Sequence, residues 1–209
     1  MYALHYTASP QGRANLLLRP CITRDSRMVD TTSGNETIEV VFSAEDIARR
    51  VDELAKDIAG RELEPLLIVS VLNGSFVFAA DLVRALHRAG VSPQVDFMSL
   101  SSYRSATTSS GRVEVLRDLE VDVAGRNVLI VDDILESGRT LAFAKDLISA
   151  RGAARVLTCV LLDKPVPRVA DIRADVCAFE CPNAFVIGYG MDLAQRYREL
   201  PFVGRVVRP

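Results

Sequence analysis

The chain has 209 residues, with 27 Asp and Glu against 25 Lys and Arg and a formal net charge of −2. Hydrophobic residues make up 49% and charged residues 25%, a globular balance that excludes a disordered or fibrous chain. This length predicts one domain able to bury its core without disulfide or metal staples, and the near-neutral charge argues against a broad nucleic-acid surface.

The longest stretch free of charge, Pro65–Ala80, falls short of the roughly 20 apolar residues of a membrane span and is interrupted by Asn73-Gly74. No basic start followed by an apolar run opens the chain, so no secretion signal is expected and a cytoplasmic setting is. Cys21, Cys159, Cys177 and Cys181 lack CxxC spacing, and Cys177 and Cys181, four apart in an apolar-rich stretch, read as buried thiols in a reducing compartment. With His5 and His87 as the only histidines, neither a zinc site nor a histidine-dependent hydrolase is expected.

Residues 1–37 show no sustained periodicity, and Thr31–Asn35 reads as flexible linker. Order is expected from Ile38–Val41 onward. Ser43 with Asp46 forms a cap signal, after which Ile47, Val51, Leu54, Ala55 and Ile58 recur at helical spacing up to Gly60. Leu66–Leu72 reads as a buried strand, and Phe78, Leu82, Val83 and Leu86 mark a second helix ending near Gly90. Val95–Leu100 is the next strand, Ser101–Arg112 turns to Ser, Thr and Gly, and Val113–Leu116 is extended. Val128–Val131 then predicts a buried strand, followed by a polar turn and a helix over Thr140–Arg151 closed by Gly152. Strands at Arg155–Leu162, Val176–Phe179 and Phe185–Ile187 complete the chain. Helices alternating with apolar strands predict an α/β fold, with a mainly parallel twisted sheet covered by helices on both faces. Ligands of such sheets bind beyond the carboxyl ends of the strands, so the turns after Leu72, Leu100, Val131 and Leu162 are expected to converge.

The segment Val128–Leu141 carries the chemistry. Asp132, Asp133 and Glu136 leave a buried strand and meet Ser137-Gly138-Arg139-Thr140 at a helix start. Paired carboxylates suit hydroxyls or a hard cation, while the free amides of a helix start suit a phosphate. Gly138 permits close backbone approach, and Ser137 and Thr140 add hydroxyl donors. One turn could therefore grip a sugar by its diol and by its phosphate.

Val128–Leu141 resembles the phosphoribosyl-pyrophosphate (PRPP) motif of the type I phosphoribosyltransferases. Leu72–Phe76, Val95–Tyr103, Leu161–Pro165 and Phe185–Arg198 resemble the hypoxanthine–guanine branch, and the likeness runs from about Glu39 to Val207. It implies a purine-salvage enzyme that transfers phosphoribose from PRPP to N9 of a 6-oxopurine and releases pyrophosphate with Mg²⁺. By position it implies that Asp132 and Asp133 hold the ribose hydroxyls near a magnesium ion. Ser137, Gly138, Arg139 and Thr140 would cradle the 5′-phosphate, and Glu136 would manage the proton at N7. Lys164 would donate to O6, Phe185 would stack on the base, and Val186 would touch its edge through the backbone. Asn73, Gly74 and Arg198 would meet pyrophosphate, Asp192 would ligate Mg²⁺, and Ser102 and Tyr103 would head a closing loop. Taken alone, Lys164 reads as a solvated charge, Phe185 as core, and Asp192 with Arg198 as a surface pair.

The resemblance further implies a core over about 38–163, a hood mostly from 164–209 with residues near the ordered start, and a homodimer or homotetramer. No nucleic-acid or membrane partner is expected. Two positions depart from the family: Asn73 stands where Lys or Arg is usual, in a loop with a non-proline cis peptide, and Glu136 where Asp is usual. These departures keep open a second reading, a catalytically weak PRPP-sensing regulator on the same fold.

Overall fold

The structure, a computed structural model, describes residues 28–29, 37–102 and 113–207. The first long helix forms as its cap signal predicts. In α1 (Ala44–Ala59) the Ser43 hydroxyl accepts from the Asp46 amide at 3.1 Å, and Ile47, Val51, Leu54, Ala55 and Ile58 lie on one buried face. Strand β3 (Leu66–Leu72) follows, and its period-two alternation divides it between two cores. Leu66 and Ile68 pack under α1 and α2 (Phe76–Arg88), whereas Leu67, Val69 and Val71 pack under α3 (Arg139–Ala150). Each large aliphatic side chain buried this way contributes roughly 1.5–3 kcal/mol.

The remaining strands of the main sheet are β4 (Gln94–Ser102), β5 (Val113–Arg117), β6 (Asn127–Leu135), β7 (Arg155–Asp163) and β8 (Val176–Glu180). Their order is β5-β4-β3-β6-β7-β8, parallel throughout except for β5, which runs antiparallel to β4. A second, antiparallel sheet joins β1 (Met28–Val29), β2 (Thr37–Phe42), β10 (Val203–Val207) and β9 (Val186–Ile187), in that order. It sets β1 and β2, the first described strands, in one sheet with β10, the last.

From β3 the chain passes through α2 to β4 on one side; from β6 it passes through α3 to β7 on the other. Since β3 and β6 are neighbours and α2 and α3 cover opposite faces, the strand order reverses between them. The crevice beyond their carboxyl ends is the position at which such sheets bind ligands.

Several boundaries differ from the sequence expectations. Strand β6 continues past Val131 through both aspartates to Leu135, because the backbone of Asp132, Ile134 and Leu135 stays registered with Val160, Leu162 and Asp163 of β7. Strand β4 likewise continues through Ser101 and Ser102, paired with Glu114 and Val113. Met28 and Val29 fall inside the segment read as lacking order, yet pair with Glu39 and Ile38. A strand of two residues carries no period to read.

Candidate active site

Two helices start at the strand-order reversal, and in neither does the residue at the N-cap supply a side-chain cap; at α3 the Ser137 hydroxyl accepts from the Arg139 amide at 3.5 Å. At α2 the Ser75 hydroxyl turns inward to the Val71 carbonyl at 2.5 Å and the Ser70 hydroxyl at 2.7 Å. At α3 the preceding residue is Gly138, again without a side-chain cap. Neither first turn contains an acid. By contrast α1, away from this point, has both the Ser43 cap and Glu45 and Asp46 in its first turn. Unsatisfied amides at the positive end of a helix dipole attract anions, so α2 and α3 present two anion-ready ends.

The α3 turn is shaped by glycine. Gly138 has φ 77°, and a Cβ there would lie 2.8 Å from Ile172 Cγ2. The Ser137 carbonyl accepts from the Val169 and Ala170 amides at 3.0 and 3.2 Å, so the loop after β7 braces the turn. Ser137 is exposed, and Arg139 and Thr140 are half-buried.

The two aspartates are treated differently. Asp132 is 6% exposed, and its Oδ1 accepts from the Asp133 amide at 3.0 Å. Burial, then the adjacent Asp133 charge, pushes the Asp132 carboxyl well above the usual carboxylate range. Burial raises Asp133 as well, against hydrogen bonds to Asp132 and to the Ile134 amide that favour its charged form. The pair therefore holds a proton more readily than two separate carboxylates. Only Asp133 lines the cleft. Asp132 lies buried beside it, whereas the family resemblance gives both a part in holding the sugar.

That cleft, of about 350 Å³, is walled by Asn73, Gly74, Asp133, Phe185, Val186, Asp192 and Arg198, all singled out from the sequence. Leu72, Ser99, Leu100, Leu116, Ile134 and Met191 also line it. Ser99 and Leu100 come from within β4, three and two residues before its last residue, whereas the sequence placed the converging turn directly after Leu100. Leu116 comes from the antiparallel edge strand, which no sequence signal placed at the site. The peptide Leu72–Asn73 is cis. Asn73 is exposed, while a Cβ on Gly74 would overlap the Asp133 carboxylate. Phe185 is 59% exposed, so it is not core, and Val186 beside it is buried and paired with Arg205. Arg198 forms an ion pair with Asp192 Oδ1 at 2.8 Å and donates to the Gly190 carbonyl at 2.6 Å.

Lys164 is buried rather than solvated. Its amide donates to the Leu135 carbonyl at 3.0 Å, and its ammonium lies 3.5 Å from Glu136 Oε2. Glu136, Ser137–Thr140 and Lys164 stand outside the cleft walls proper, along the chain that leaves β6 and β7. Ser102 is the last residue of β4, and Tyr103 lies outside the described residues. His87 is exposed on α2; Cys159 and Cys181 are buried and Cys177 partly so, all three as free thiols.

Among the described residues no helix is long and apolar enough to cross a membrane. The family described as phosphoribosyl transferase domain matches residues 38–194. Hypoxanthine phosphoribosyltransferase of Escherichia coli is 41% identical over 174 residues, covering 82% of this chain and 96% of that protein. Hypoxanthine-guanine phosphoribosyltransferase of Bacillus subtilis is 42% identical over 172 residues, covering 82% and 93%. Among solved structures, hypoxanthine phosphoribosyltransferase from Trypanosoma cruzi in complex with the product IMP superposes with a TM-score of 0.76 at 40% identity, covering 87% of this chain and 98% of that one. With the two helix starts and the paired aspartates at the strand-order reversal, these matches establish that the chain belongs to the phosphoribosyltransferase family, in its hypoxanthine–guanine branch.

Proposed function

We propose that this enzyme, a pentosyltransferase, moves phosphoribose from PRPP to N9 of hypoxanthine or guanine, and of xanthine where its 2-position contacts allow. The products are the nucleoside monophosphate and pyrophosphate. The observation that carries the reading is Asp133 in one cleft with the Asn73-Gly74 loop that leads into α2, while α3 starts beyond the end of the adjacent strand at the same switch point. A substrate bearing a diphosphate at one end of a sugar and a phosphate at the other needs such an arrangement.

In this reading the turn Ser137–Thr140 binds the 5′-phosphate through amides and hydroxyls, with Arg139 adding a cation at its rim. Asp133 accepts from the ribose hydroxyls, and the buried Asp132 holds Asp133 in place through its amide. Asn73, Gly74 and Arg198 take the pyrophosphate. As the C1–pyrophosphate bond breaks, positive charge grows on the ribose and negative charge on the leaving group. Arg198, shared with Asp192 in the structure, would turn part of its donor capacity to that charge. Water must be kept from the ribose cation, a role suited to the segment after Ser102.

Asp192 would hold Mg²⁺, with Asp132 and Asp133 near the ribose-bound ion, and the ion's charge would offset that of the leaving diphosphate. The donor chemistry fits: Asp192 and Asp133 both line the cleft and offer hard carboxylate oxygens, and Mg²⁺ is commonly bound through one or two carboxylates plus substrate oxygens and water.

On the base side Phe185 offers its exposed ring for stacking and Val186 its backbone. Lys164 donates to O6, and Glu136 accepts the proton at N7. An ammonium group meets a donor rather than an acceptor at the 6-amino group of adenine, and a buried mismatch of that kind supports large discrimination. The antiparallel sheet β1-β2-β10-β9 serves as a hood, and the six-stranded sheet, which includes β8 from beyond Lys164, serves with its helices as the core. A cytoplasmic setting and a homodimer or homotetramer belong to the same reading. The relatives above are named as transferases, which gives no support to a PRPP-sensing regulator.

The test is Mg²⁺-dependent pyrophosphate release from PRPP with hypoxanthine, guanine, xanthine and adenine in parallel. Turnover of at least one 6-oxopurine with negligible turnover of adenine is expected. Comparable adenine and hypoxanthine rates would remove Lys164 from its role, and no turnover of any base would remove the reading.

A further inference from the structure

The turn Gly188–Met191 leaves β9 and carries the cleft's second wall. It is closed by reciprocal backbone bonds between Gly188 and Met191, each 3.0 Å. Tyr189 within it holds φ 49° and is 5% exposed. Its phenol donates to Asp81 Oδ2 at 2.6 Å, across 108 residues of sequence. Asp81 lies five residues into α2, roughly 7.5 Å along the axis from the helix start that adjoins the Asn73-Gly74 loop. Asp81 also pairs with Arg84 of the same helix. At the other end of this turn a Cβ on Gly190 would overlap the Gly74 carbonyl, so the two cleft walls touch backbone to backbone.

The wall that carries Phe185 and Val186 is anchored differently. There β9 is paired with β10 through Val186↔Arg205 and Ile187↔Gly204, and needs no help from α2. Beyond Ile187 the chain leaves that ladder, and the Tyr189–Asp81 bond is a side-chain tie back to the core on the way to Asp192. Ala194, Gln195 and Tyr197, just beyond, all hold positive φ, a costly conformation for non-glycine residues that persists only where the surroundings impose it.

We propose that Tyr189 and Asp81 are positioning residues: their hydrogen bond sets the spacing between the Asn73-Gly74 loop and the Asp192–Arg198 wall, and so tunes affinity for the diphosphate end of the substrate while leaving the base end alone. This rests on the proposed phosphoribosyl transfer, since it takes the cleft as the diphosphate site.

Tyr189→Phe keeps the ring and removes only the bond. It is expected to raise KM for PRPP in the forward reaction and for pyrophosphate in the reverse by about fivefold or more, with kcat and KM for the purine within twofold. Asp81→Ala removes the same bond from the half-exposed helix side and serves if the tyrosine variant does not fold. It should give the same split, and the double variant should be no worse than either single one. Asp81→Asn, which keeps an acceptor oxygen, should restore near-native values. Titration of Mg²⁺-pyrophosphate into wild type and variants gives the same comparison without turnover. An unchanged KM for PRPP, or equal rises for PRPP and purine, would overturn the positioning role. An inactive wild-type protein would instead overturn the function on which it rests.

Discussion

The Lys164 ammonium stands 3.5 Å from the Glu136 carboxylate and joins the residue after β7 to the residue after β6. The lysine side chain is 7% exposed and the glutamate 47%, so a buried cation meets an acid that still reaches solvent. Two adjacent groups, one donating and one accepting, match the O6 and N7 edge of a 6-oxopurine. Glu136→Gln removes the acceptor charge and keeps the shape. It is expected to lower kcat by about 10²-fold or more and to leave KM for PRPP within about twofold. Steady-state kinetics with each substrate varied separately checks this, and equal turnover of the two forms would rule out a proton-handling role.

Gly74 lies against the Asp133 carboxylate, with no space for a side chain. Gly74→Ala must displace either the loop or the acid. Overpacking of this kind costs about 1–3 kcal/mol, which at this chain length lowers Tm by several degrees. Affinity for PRPP should fall more than tenfold while purine affinity changes little. Calorimetry and substrate titration together check it; wild-type PRPP binding would show that Asp133 has no part in holding the sugar.

Burial raises Asp132 in the folded state, so the native chain keeps a proton that the unfolded chain has lost. The sign follows from linkage. The stability from this site is fully present below the ordinary carboxylate range, near pH 4, and is lost as pH rises through the raised native value. Asp132→Asn keeps an oxygen for the Asp133 amide and removes the buried charge. It is expected to raise Tm at pH 7, by about 2–4 °C for each kcal/mol gained, with a smaller gain at pH 4 and a large loss of turnover. Thermal melts of both proteins across that range are the measurement, and a variant less stable at pH 7 would contradict burial as the dominant cause.

Asn73 is exposed and lines the cleft, at the position where the family resemblance leads to the expectation of Lys or Arg. Asn73→Lys adds a charge-assisted donor beside the diphosphate, an interaction of the order of 1.5–3 kcal/mol when well formed. Screening at an exposed position reduces it, and a three- to tenfold fall in KM for PRPP is expected at low salt, shrinking as ionic strength rises. A change independent of salt would argue against an electrostatic origin.

Much of the fold was legible because local periodicity reports which side of an element is buried. The spacing of Ile47, Val51, Leu54 and Ile58 marked α1, and the apolar run Leu66–Leu72 marked β3. The aspartates misled at β6: a strand end was expected at Val131, but the ladder to β7 continues through Asp132 because backbone pairing does not depend on side-chain polarity. Phe185 and Lys164 show the same limit in opposite directions. An aromatic in an apolar run is exposed, and a lysine after a strand is buried, because their burial depends on segments distant in sequence.

The order of residues was enough to establish an α/β sheet with its ligand site beyond the strand ends, and to pick out Asp133 and Gly138; Arg198 stood out only through the resemblance of Phe185–Arg198 to the hypoxanthine–guanine branch. Strand, helix and turn preferences are short-range, and the Asp132–Thr140 motif lies within one short stretch of chain. Folding in three dimensions was needed to seal the second sheet, where Arg205 meets Glu39 across 166 residues. It was needed also to separate the buried Asp132 from Asp133 in the cleft, and to tie Tyr189 to Asp81. Contacts between remote segments leave no period in the chain, so they exist only once the packed core has brought those segments together.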